Sequence, residues 1–145
     1  MGMVIDRYAS KKDVRAWDVL PQEAKWSGLL GRIVCEVRGS EGSDEFYLVF
    51  EDGSALLLWH ERDCCESVQI EEIVGDLGDL VGSPLLQAEE VSEDEPEGFE
   101  CNESYTWTFY KFATIKGSVT LRWLGQSNGY YSEEVSSVII DGGFN

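Results

Sequence analysis

From Tyr105 to Leu124 the side chains alternate residue by residue, and a period of two can be satisfied only by extended chain. Tyr105, Trp107 and Phe109 fall on one parity, and Thr106, Thr108, Tyr110 and Phe112 on the other. Val119, Leu121 and Trp123 then alternate with Thr120, Arg122 and Leu124, with Lys116-Gly117 as the turn between the two runs. The spacing predicts a long β-hairpin. Its aromatic and β-branched residues are those that a half-buried pleated surface favours.

Two further runs, Phe46 to Phe50 and Ala55 to His60, flank Glu51, Asp52, Gly53 and Ser54. An Asp-Gly step between apolar runs is a strong hairpin signal, because both residues tolerate positive φ. Ile33, Cys35 and Val37 alternate with Val34, Glu36 and Arg38, which predicts another strand with Cys35 as a small core residue. Val68, Ile70 and Ile73 resume apolar spacing. Asp76 to Pro84 reads as one helical turn that places Leu77, Leu80 and Val81 over the sheet. Leu85, Leu86, Ala88 and Val91 predict a strand leading into a mobile acidic loop, Ser92 to Asn102, and Tyr130 to Ile140 completes the sheet.

The expected fold is mainly β (α+β): six or seven strands in a single curled antiparallel sheet, a sandwich or partial barrel, with one or two short helices. Residues 1–28 form an N-terminal arm or short helix, in which Val14, Trp17 and Leu20 are helically spaced before Pro21. Trp26, Leu29 and Leu30 plug one end of the core, and residues 29–145 are one β-rich domain.

Charge narrows the function. Between Arg62 and Lys111 stand fourteen Asp and Glu residues and no Lys or Arg, in a chain of net charge -17. Such a field repels nucleic acid and anionic membrane and attracts basic proteins or cations. A hydrophobic content of 43% argues against a disordered acidic tail. With no signal-peptide core and no apolar run of roughly 18 residues, the expected setting is cytoplasmic, without membrane association. Walker, GxSxG, GxGxxG and HExxH motifs are absent, so phosphate, acyl-transfer and dinucleotide chemistries have no support.

Leu57 to Val68 contains His60-Glu61-Arg62-Asp63-Cys64-Cys65-Glu66-Ser67-Val68, an HxxDCCExV pattern, and Trp123 to Ser132 contains Ser127-Asn128-Gly129-Tyr130-Tyr131-Ser132. With Gly75-Asp76-Leu77, Gly82-Ser83-Pro84-Leu85, Ala88-Glu89-Glu90 and Thr108-Phe109-Tyr110-Lys111, these runs resemble a small uncharacterised phage and prophage accessory domain family over Leu29 to Ile140. The resemblance implies a setting in which small proteins act on host machinery, including defence nucleases. It implies no reaction.

The expected function is non-enzymatic: an acidic accessory protein, of the anti-CRISPR or DNA-mimic class, that binds and inhibits a basic host nuclease or nucleic-acid-binding complex. Its contact residues are Glu89, Glu90, Glu93, Asp94, Glu95 and Glu97, with Tyr130 and Tyr131 as aromatic anchors. No cofactor is expected. One alternative is a zinc- or thiol-dependent enzyme centred on His60, Cys64 and Cys65. Against it, no second ligand pair has standard spacing, neighbouring cysteines diverge in most backbone conformations, and nearby carboxylates oppose a thiolate. A further alternative is a structural or assembly protein, and a homodimer would double the acidic surface.

Overall fold

A computed structural model of the chain describes residues 22–62, 64–94, 104–128 and 131–140. A short helix, α1 (Gln22–Ser27), precedes eight strands: β1 (Val34–Arg38), β2 (Glu45–Phe50), β3 (Ala55–Trp59), β4 (Ser67–Val74), β5 (Gln87–Asp94), β6 (Ser104–Thr114), β7 (Gly117–Ser127) and β8 (Ser136–Ile140). A 3-10 turn, Leu77–Leu80, lies between β4 and β5.

The strands form two antiparallel four-stranded sheets, in the orders β1-β2-β3-β8 and β4-β7-β6-β5. Of the expected forms this is the sandwich. Phe46, Leu48, Phe50, Leu56 and Leu58 of the first sheet share one buried cluster with Ile70, Tyr110, Phe112, Leu121 and Trp123 of the second. Trp26 and Leu29 are buried in that cluster, whereas Leu30 is exposed. Leu80 is buried over the core, with Leu77 and Val81 packed beside it. No helix among the described residues is long and apolar enough to cross a membrane.

Local chemistry accounts for the turns. Gly53 adopts φ +88° in the β2–β3 turn, where the Phe50 N–H donates to the Ser54 carbonyl at 2.8 Å. The Asp52 carboxylate accepts both the hydroxyl and the backbone N–H of Ser54, and these two bonds, the hydroxyl first, hold its pKa below the ordinary value. In the β6–β7 hairpin Thr114 pairs with Gly117, so Ile115 and Lys116 form the loop, one residue earlier than expected. Thr114 Oγ1 accepts the Lys116 N–H at 3.2 Å and fixes that position.

Cys35 is exposed and is not a core residue. The β1–β2 register slips between Val34 and Glu36, so Cys35 is an extra residue in a bulge, and Val34 takes the buried position. A second bulge between Ile70 and Glu72 keeps both Ile70 and Ile73 turned inward on β4. β5 continues through Ser92, Glu93 and Asp94, three positions read from the sequence as loop. Residues 95–102 of that loop, and the helical spacing from Val14 to Leu20, lie outside the described residues.

Candidate partner-binding face

On β6 and β7 the inward positions are Thr108, Tyr110 and Phe112, and Val119, Leu121 and Trp123. Their alternates cover the outer face of the second sheet. The register sets that face in rows: Ser67, Gln126 and Tyr105; then Gln69, Leu124, Trp107 and Glu93; then Glu72, Arg122, Phe109 and Val91; then Val74, Thr120, Lys111 and Glu89. Three aromatic rings therefore stand in line along β6. Trp107 and Phe109 stack with centroids 6.5 Å apart and planes 18° apart. The Arg122 guanidinium sits 4.9 Å from the Trp107 centroid, a cation–π contact, and its Nη1 pairs with Glu72. Val74 is 50% exposed and Val91 37%, so the row of rings has apolar neighbours open to water.

The row ends in a cleft of about 400 Å³ lined by Cys65, Ser67, Tyr105, Gln126, Ser127, Asn128 and Tyr131. The HxxDCCExV and SNGYYS segments meet there. A buried carboxylate braces each side of it. Glu133 accepts the Thr106 hydroxyl at 2.7 Å and also the Ser127 hydroxyl, and lies over Gly125, where any Cβ would come within 2.7 Å of its carbonyl oxygen. Glu66 accepts the Cys64 N–H at 2.9 Å and faces His60 Nε2 at 2.7 Å, while His60 Nδ1 donates to the Glu134 carbonyl at 2.7 Å. Both ring nitrogens thus face oxygens. The Nδ1 proton belongs to the carbonyl contact, so the Nε2–carboxylate contact needs a second proton, on the ring or on Glu66.

The profile of a domain of unknown function (DUF7448) matches residues 27–137. The chain belongs to that family. Neither a curated protein nor a solved structure matches it. The DUF7448 match takes in both segments that close the cleft and every row of the outer face.

Of the expected contact residues, Glu89 and Glu93 lie on this outer face and Tyr131 lines the cleft. Glu90 does not join them. It has the opposite parity and faces inward, where its carboxylate accepts the Tyr110 hydroxyl at 2.6 Å. Burial first, and then the Glu90 charge, push the Tyr110 pKa well above the ordinary phenol value. The backbone of Asp94 closes β5, and Glu95, Glu97 and Tyr130 lie outside the described residues. The acidic run is also divided: Glu71 and Glu72 are on β4, and Glu89 and Glu93 are on β5, the opposite edge of the same sheet.

His60, Cys64 and Cys65 are close in space but already engaged. Cys64 and Cys65 are joined as a disulfide, where the sequence had their side chains diverging. A bend held by Arg62 Nε on the Cys64 carbonyl at 3.1 Å, and by Glu66 on the Cys64 N–H, brings them together. Among the described residues no three His, Cys, Asp or Glu side chains are grouped to hold a metal ion. Trp107, Phe109 and Arg122 were not picked out from the sequence. Their alternation was visible, but both parities of β6 carry aromatic rings, and only the second layer decides which parity is buried.

Proposed function

We propose that the chain is a non-enzymatic binding module that grips a basic protein with the outer face of its second sheet. The observation that carries this reading is the outward row Tyr105, Trp107 and Phe109, with carboxylates on both edge strands of the sheet, β4 and β5. Rigid aromatic side chains in the middle of a face, with charge at its border, have the anatomy of an interface centre and rim. On the face itself, Glu72, Glu89 and Glu93 are set against Arg122 and Lys111. The rings therefore supply the contact area, and the charge supplies attraction and orientation. The connection between β5 and β6 contains Glu95, Glu97, Glu100 and Glu103, whose charge adds to that attraction.

In the phage accessory setting that the sequence resemblance implies, the partner is a basic host protein, and occupation of its nucleic-acid surface inhibits it. Phosphates follow one another at about 1.7 Å along duplex DNA. The outward carboxylates of β5 are four residues apart, at roughly 3.3 Å per residue. This spacing favours an apolar contact steered by charge over a close imitation of a phosphate backbone.

The test is affinity capture from the host with the wild-type chain, Trp107→Ala and the Glu89→Gln/Glu93→Gln double variant. Expected is one basic protein held by the wild type, lost on Trp107→Ala, and weakened by the double variant and by salt. A partner held equally by all three would overturn the assignment of the face.

A further inference from the structure

The first sheet has a second apolar side. In β3, Leu56 and Leu58 meet the shared core, while Ala55, Leu57 and Trp59 point the other way and are buried as well. Ala55 and Leu57 are 0% exposed, and Val138 of β8 is 1% exposed. Yet the apolar clusters on that side contain only residues of β2, β3 and β8; no described residue from outside the sheet joins them. Side chains of a single layer cannot remove one another from water to that extent, because they project from the pleat side by side.

We propose that this face is the docking surface for the chain's own residues 1–21. Position favours that occupant. α1 is the first described element, and its Lys25 Nζ donates to the Ser137 carbonyl at 2.7 Å and to the Ser137 hydroxyl at 3.1 Å. Ser137 is on β8, the edge strand of this same sheet, so α1 is tied to the border of the face.

Chemistry favours it too. Val4, Ile5, Val14, Trp17 and Leu20 supply apolar side chains, and the segment's charges nearly balance in a chain of net -17. Four strands at about 4.8 Å spacing make a face roughly 15 Å wide. Twenty-one residues cover that width even as a helix rising about 1.5 Å per residue. The other undescribed stretches fit less well: residues 141–145 are short, and residues 95–103 connect strands of the second sheet.

The test is methyl NOE spectroscopy on the full chain, using a mixture of labelled and unlabelled protein. Expected are NOEs from the Leu57 and Val138 methyls to residues 1–21 within one molecule. The double variant Trp17→Glu/Leu20→Glu should then lower the hydrogen-exchange protection of β3 by about tenfold, with Leu121 unchanged. NOEs between molecules would instead assign the face to a second copy. Those, NOEs to residues 141–145 alone, or no NOEs at all would each overturn the proposal.

Discussion

At the scale of single residues, the cleft depends on side chains too small or too buried to look functional. Gly125→Ala puts a methyl group into the backbone of Glu133, and the loop carrying Tyr131 must move. We expect a loss of about 2 kcal/mol, read from the urea midpoint, with Tyr131 more exposed. Tyr110→Phe removes a buried donor from the Glu90 carboxylate and costs about 2 kcal/mol at neutral pH. Because folding raises the Tyr110 pKa, its contribution is complete below the ordinary phenol pKa and is lost as pH rises above it. Alkaline unfolding should therefore be steeper for the wild type than for Tyr110→Phe, as followed by circular dichroism. Glu90 shows where single-residue reading stops. Its charge pointed to the surface, but strand parity and a buried phenol place it inside.

At the scale of elements, the hairpins were legible because their signals are local. Gly53 and the Ser54 bonds to Asp52 form the β2–β3 turn within a few residues of sequence. The lowered Asp52 pKa gives that turn a pH dependence: its contribution is present above the ordinary carboxylate pKa and lost as pH falls through the lowered value. Wild type should thus be more stable than Asp52→Ala at neutral pH, and the gap between their urea midpoints should close on acidification. The β1 bulge was not legible. Ile33, Cys35 and Val37 form a regular alternation, and only pairing with β2 shows that one residue is surplus. The end of β5 was missed for a related reason. Ser92 to Asp94 are polar and acidic, but they continue a ladder whose partner, Thr106 to Thr108, lies beyond the acidic connection.

At the scale of the molecule, the sequence showed a β-rich domain but left the sheet count open, since alternation describes each strand and not the layer it joins. Distribution of charge was similarly hidden: one run of carboxylates is divided between two edges of one sheet. A net charge of -17 on one small domain opposes its own compactness, and salt screens that repulsion. Thermal stability should rise between about 10 and 150 mM salt while affinity for a basic partner falls, as followed by calorimetry. The pairing of Ala55 with Ile140 has a kinetic consequence. Both long hairpins close over short loops, but β3 must wait for a strand made some eighty residues later. During synthesis one lateral margin of β3 stays open until β8 has left the ribosome, and at that stage the nascent chain is most exposed to mispairing with its neighbours.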